Sequence, residues 1–258
     1  MTAVAIVPYR VDLSGNRRIN AEAVLRWLSE LNITVLLSEH AEQPDRELSV
    51  PAGVIRVFTE STGSFNKACA INRGFSASTD DVIAIVDADT LMDSRTFMAT
   101  LNRVASHDDV IRPFSRLIEL AEDQRDTYLQ SAVLPQPAQT DRDDSRNGDV
   151  IPLCGGIVIM QRARYFSVGG MDERFQGWGG EDDALSAAFV RTGATVKVLK
   201  NEPAFHLWHD RDIRSRSGHA HYQRNLQLLN WWQNCSEEDM KSHVTRAQSV
   251  LRGKIHLD

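Results

Sequence analysis

Three acids crowd one short stretch of this chain, Gly177-Trp178-Gly179-Gly180-Glu181-Asp182-Asp183, and a helix-like segment over residues 184–191 follows at once. Acids at a helix N-terminus meet unsatisfied N–H groups and the positive end of the helix dipole, which holds them ionised and oriented. A carboxylate held in that way suits a general base waiting for a substrate hydroxyl. An ordinary N-cap with an acidic first turn would account for Asp183 by itself. It accounts for neither the tryptophan nor the glycines around it.

A second acidic site lies upstream, where the apolar run 81–86 ends in Asp87-Ala88-Asp89. The run is short, β-branched and uninterrupted, so it reads as a buried parallel strand. Residues two apart on an extended chain share a side, so Asp87 and Asp89 can face one crevice. The carboxyl end of a strand in an open α/β sheet is where ligands bind. A carboxylate pair there suits a divalent cation carrying substrate phosphates. By itself an Asp-x-Asp is equally an acidic turn. Further on, His206 and His209 flank Leu207-Trp208 after an expected strand at 194–199. Both can meet one ion if the chain turns there, with Asp89 supplying the acid from another strand.

These groups need a scaffold, and strand and helix patterns alternate along the chain as a doubly wound sheet requires. Strands are expected at 3–7, 33–38 and 54–58, helices at 21–31, 65–76 and 94–106, and a short apolar segment at Val110-Ile111. From 121 to 149 Asp, Arg, Gln, Ser and Asn dominate, an insertion so long and polar that it is either disordered or functional. A strand-like segment at 150–160 follows it, and helices at 219–232 and 237–251 close the chain. Trp231-Trp232 reads as core or interface packing, with sugar stacking as the minor alternative.

With 258 residues and 42% hydrophobic content, the chain can bury a sizeable core. It reads as one domain over 1–258: a nucleotide-binding part at 1–115, a polar insertion at 116–149, an acceptor and catalytic part at 150–212, and helices at 213–258. A net charge of −6 argues against a nucleic-acid groove. The short basic set Arg211, Arg214 and Arg216 suits the phosphates of a small donor instead. Three unpaired-looking cysteines, Cys69, Cys154 and Cys235, point to a reducing compartment. No run approaches the ~20 apolar residues of a membrane span, so a cytoplasmic location is expected.

Several segments together resemble one family. Val7-Pro8-Tyr9-Arg10, Phe65-Asn66-Lys67-Ala68 with Asn72-Arg73-Gly74-Phe75, and Val86-Asp87-Ala88-Asp89 come first; Gly155-Gly156, Gly169-Gly170-Met171-Asp172 and the Trp178 motif follow. With His206-Leu207-Trp208-His209-Asp210-Arg211-Asp212, they resemble the inverting β-1,4-galactosyltransferases and the related chondroitin-type polymerases. The resemblance spans residues 3–212, and the order of the motifs is far more specific than any one of them. It implies an α/β GT-A (Rossmann-like) nucleotide-sugar-binding fold with a mixed central sheet and C-terminal helices.

It also implies an activity: metal-dependent transfer of a hexose or N-acetylhexosamine from a UDP-sugar to a glycan or other acceptor hydroxyl, with inversion. By resemblance Asp182 is the catalytic base, and Glu181 is its neighbour on the donor sugar. Pro8, Tyr9, Arg10, Phe65 and Lys67 frame the uridine and diphosphate, while Asp87 and Ala88 lie at the ribose or donor sugar. Trp178 lies against the sugars, and Gly179 and Gly180 let the backbone approach. Asp89, His209 and His206 hold the metal, Mn²⁺ first and Mg²⁺ second. Two departures stand out. His206 replaces a family methionine, which widens the metal choice towards Mg²⁺, and Lys67 replaces an arginine, which loses the bidentate fork. Leu153 stands where the family carries a tyrosine near the sugar's 2-substituent, and so leaves room for an N-acetyl group. The alternatives are a retaining N-acetylgalactosaminyltransferase-like enzyme and a non-catalytic nucleotide-sugar-binding module.

Overall fold

The computed structural model describes residues 2–12, 14–107, 109–136, 153, 155–210 and 220–253. Its strands are β1 (Ala3–Tyr9), β2 (Thr34–Ala41), β3 (Ile55–Glu60), β4 (Val82–Val86), β5 (Thr90–Met92), β6 (Asp109–Arg112), β7 (Arg116–Glu119), β8 (Ile157–Gln161), β9 (Thr195–Val198) and β10 (Pro203–His206). Its helices are α1 (Asn16–Ser29), α2 (Lys67–Ser76), α3 (Ser94–Ser106), α4 (Glu122–Ser131), α5 (Arg162–Ser167), α6 (Glu181–Arg191), α7 (Tyr222–Asn234) and α8 (Glu237–Gly253).

Seven strands form a mixed sheet in the order β3-β2-β1-β4-β8-β6-β9. β1 pairs in parallel with β2 and β4, whereas β8 runs antiparallel to both β4 and β6. β1 and β4 are buried along their whole length, as expected of strands covered on both faces. Alternate residues of β1 feed two cores. Ala3, Ala5, Val7 and Tyr9 join Val24, Leu25 and Leu28 of α1 and Phe97, Leu101 and Val104 of α3 on one side. Val4 and Ile6 join Ile71 and Phe75 of α2, Leu185 and Phe189 of α6, and Trp232 of α7 on the other.

A second sheet, β5-β10-β7, has only three or four residues per strand. It springs directly from the end of β4, and the Leu207 N–H donates to the Asp89 carbonyl at 2.7 Å to tie the two segments together. These strands were not expected, because a run of three or four residues is too short to express a period.

Other boundaries moved for local reasons. α2 starts at Lys67 rather than 65, since Asn66 caps it by accepting from the Cys69 N–H at 2.8 Å. α1 starts at Asn16, its first turn being too polar to announce itself. Part of the polar insertion is the helix α4, whose Arg125 is 4% exposed and donates to Asn16 Oδ1 and the Trp208 carbonyl. Residues 137–152 lie outside the described residues. Trp232 packs in the core, as expected, and its indole N–H donates to Asp172 Oδ2 at 2.8 Å. Asp172 and Asn72, both in motifs of the resemblance, are thereby structural. Asn72 joins α2 to the Met171 carbonyl and accepts from the Tyr165 hydroxyl. No helix among the described residues is long and apolar enough to cross a membrane.

Candidate active site

The acids at the start of α6 lie against the end of β4 and the start of α2. Lys67 joins them: its ammonium is 2.8 Å from Asp87 Oδ1 and 3.1 Å from Asp182 Oδ2. Burial works against the charged lysine, but Asp182 and Asp87 outweigh it and hold its pKa well above the ordinary value. Burial and the neighbouring Asp182 and Asp89 push Asp87 upward against the pull of Lys67. The Gly156 N–H donates to Asp87 Oδ2 at 2.9 Å, and the Asp87 N–H returns a bond to the Gly156 carbonyl. Gly155 has φ +82°, and a Cβ there would come within 3.1 Å of Asp182 Oδ2. A side chain at 155 would therefore both strain the backbone and press on the proposed base.

Glu181 opens α6 behind Gly180, whose φ of +91° turns the chain into the helix. Its Oε2 is enclosed with no hydrogen-bond partner among the described residues. Burial first, and the adjacent Asp182 second, push its pKa up to about 7. The folded state therefore binds a proton that the unfolded state releases from about pH 4.5 upward, and stability falls as pH rises through this window. Glu181→Gln should flatten that decline; thermal melts from pH 4.5 to 8 with wild-type steepness in the variant would contradict it.

The second cluster forms where β4 passes into β5 and β10 ends. Asp89 Oδ2 lies 3.6 Å from His206 Nε2 and 3.4 Å from His209 Nε2. Ligand atoms of all three residues lie within 4.8 Å of one another. Ligands held about 2.1 Å from one cation stand about 3.0–3.4 Å apart in octahedral or tetrahedral arrangement, so the two Asp89–histidine pairs are close to the spacing that one ion requires. One carboxylate and two imidazoles form a donor set for a first-row divalent ion. Burial raises the Asp89 carboxyl, but the two histidines overcome it and hold the pKa well below the ordinary value. Burial likewise opposes charge on His206, yet Asp89 and Glu119 push its pKa up to about 10. The two carboxylates thus favour a positive charge at this cluster.

Asp87, Lys67, Glu181 and Asp182 therefore meet, as do Asp89, His206 and His209. Asp87 and Asp89 fall in different clusters rather than sharing one ion: both lie in the connection from β4 to β5, Asp87 facing Lys67 and Gly156 and Asp89 facing His206 and His209. Tyr9 departs from expectation. Its ring is 1% exposed and its hydroxyl donates to Asp45 Oδ2 at 2.8 Å, so the phenol is a core group. Pro8 is buried in β1 beside it, and Arg10 donates to the Gly63 carbonyl. Phe65 is half-buried beside His40, with ring centroids 6.1 Å apart. Leu153 is 2% exposed and joins Lys67, Asp87, Asp182 and Leu185 around a cavity of ≈ 10 Å³. Ala88 lies between the two acids and packs on the core under β4. Arg211, Arg214 and Arg216 lie outside the described residues.

Trp178 is 43% exposed and stacks on Tyr222 at 6.0 Å between centroids. Its loop is held by Asn225, a residue sequence reasoning missed. Asn225 is 1% exposed, donates to the Gln176 and Trp178 carbonyls, and accepts from the Gln176 N–H. Gly179 continues that loop, and a Cβ there would approach Tyr222. Arg125 and Asn20 play the same part for the His209 loop, both donating to the Trp208 carbonyl. In sequence these are unremarked helix residues, and only the fold reveals their reach.

Comparison with known proteins bears on the family and the fold. Residues 39–166 match the family model described as glycosyl transferase family 2, and residues 147–210 match that of the N-terminal domain of galactosyltransferase. A curated relative, chondroitin sulfate N-acetylgalactosaminyltransferase 1 of Mus musculus, is 28% identical over 72 residues, which are 28% of this chain and 14% of that protein. The chain therefore matches only a small share of that relative's length. Among solved structures, a mutant Drosophila β1,4-galactosyltransferase 7 in complex with manganese, UDP-Gal and xylobiose is 16% identical, with a TM-score of 0.53 over 87% of this chain and 79% of that one. Glucosyl-3-phosphoglycerate synthase of Mycobacterium tuberculosis, with Mn²⁺, UDP and phosphoglyceric acid, is 13% identical, with a TM-score of 0.55 over 92% and 80%. GalNAc-T7 with UDP, GalNAc and Mn²⁺ is 12% identical, with a TM-score of 0.58 over 97% and 55%. The two family models between them span residues 39–210, and together with the likeness of fold they show a chain of the GT-A fold that resembles the β-1,4-galactosyltransferases.

Proposed function

We propose that this domain transfers a hexose or N-acetylhexosamine from a UDP-sugar to an acceptor hydroxyl, with inversion and with a divalent cation, Mn²⁺ first and Mg²⁺ second. The observation that carries it is the pairing of a lysine-held Asp182 at a helix N-terminus with an Asp89–His206–His209 cation site on the adjoining chain. Asp182 takes the acceptor's proton as its oxygen attacks the anomeric carbon, and the bond from that carbon to the diphosphate breaks. The cation, when bound by Asp89, His206 and His209, supplies positive charge for the departing diphosphate. Lys67 keeps Asp87 and Asp182 together despite their like charge. Glu181 Oε2, which has no hydrogen-bond partner among the described residues, is left to accept from a sugar hydroxyl. Trp178 and Tyr222 give the acceptor side a flat apolar face.

Retention is the second reading, and the fold likeness to GalNAc-T7 favours it. A screen of nucleotide sugars read as release of UDP, followed by NMR of the anomeric product, separates the two. Binding of donors with no turnover, hydrolysis included, would leave a docking module instead. Within the same screen, Leu153 is expected to favour 2-acetamido donors, being smaller than the tyrosine of the resembled family. One pocket residue discriminates by about 1–3 kcal/mol. Leu153→Tyr should shift the kcat/KM ratio towards the unsubstituted hexose, and an unchanged ratio would reduce Leu153 to a packing residue.

A further inference from the structure

The parallel register of β10 and β7 sets His206 beside Glu119, and their side chains meet: His206 Nδ1 lies 3.0 Å from Glu119 Oε2. We propose that Glu119 is a positioning residue for the metal centre, holding Nδ1 of His206 so that Nε2 is the nitrogen presented to the cation. This rests on the metal-dependent reading above and assigns a role to a residue outside the three ligands.

Both histidines divide their nitrogens in the same way. His209 turns Nδ1 to the Asp210 carbonyl at 2.9 Å and Nε2 to Asp89 at 3.4 Å. His206 turns Nδ1 to Glu119 and Nε2 to Asp89 at 3.6 Å. A neutral imidazole carries one N–H, so an acceptor at Nδ1 leaves the Nε2 lone pair facing the ion. Glu119 stands outside the group of mutually close ligand atoms, so it acts through the ring rather than on the cation. A carboxylate in that position also raises the basicity of the opposite nitrogen, and loss of such a partner costs about 10–100-fold in metal affinity. The lower end applies here. Glu119 is 41% exposed, so water competes for it, and the contact has the length of a hydrogen bond without its alignment.

The test measures Mn²⁺ alone, without donor or acceptor, by calorimetry on wild type, E119Q and E119D, with circular dichroism to confirm the fold. E119Q removes the charge, whereas E119D keeps it but shortens the reach to Nδ1. Both should bind Mn²⁺ about 10-fold more weakly than wild type. Wild-type affinity in E119Q would overturn the proposal. Full affinity in E119D would also overturn it, by showing that charge near the ion suffices. A wild-type protein that binds no Mn²⁺ overturns this inference and the metal site together. Weakened binding in both variants of a protein that turns over no donor supports the inference while sinking the transfer reading.

Discussion

Asp182→Asn is expected to lower the transfer rate by ~10²–10⁴-fold while leaving donor affinity nearly unchanged. That range is about 2.7–5.5 kcal/mol of barrier. The substitution keeps the shape at the N-terminus of α6 and removes only the proton acceptor. Lys67 stays beside Asp87, so the local charge balance shifts by one unit without leaving an ion alone. A donor-binding site that depended on Asp182 would lose KM instead. Retained rate in Asp182→Asn, together with a retained anomeric configuration in the product, would remove Asp182 from the role of base.

Asp89→Ala should be more severe, with turnover reduced by at least about 10³-fold and metal binding lost. Asp89 is the one carboxylate among the three clustered ligand residues, and both histidines face it through Nε2. Its removal leaves two imidazoles and no anionic ligand, a set that holds Mn²⁺ or Mg²⁺ poorly because both prefer oxygen. Excess chelator on wild type should reproduce the loss, and added Mn²⁺ should restore the wild type but not the variant. Full activity in chelator would dismiss the cation altogether.

The fold was legible where periods are long enough to read. β1, β4 and α3 stand where their hydrophobic patterns put them, and the order of motifs carried the class. Within the candidate site, Asp182, Asp87, Lys67, Asp89, His206 and His209 could be singled out because their residue types announce chemistry, and the fold brings them together in two clusters. The burial of the Tyr9 phenol was not legible: a motif names a residue without saying whether its side chain faces ligand or core, and the Asp45 that claims its hydroxyl lies 36 positions away. Glu119, Arg125 and Asn225 were illegible for the same reason in reverse. Each acts across the fold on a partner far along the chain, and nothing in its own neighbourhood marks it.

Asp87, Ala88 and Asp89 are the whole connection by which the backbone steps from β4 of the seven-stranded sheet to β5 of the three-stranded one. On the proposed reading, the groups that take the proton and those that hold the cation are thus mounted on different supports joined by one short connection. In evolutionary terms these are separable traits. On that reading, drift in β7 and β10 would retune which ion is accepted while the geometry around α6 is inherited intact.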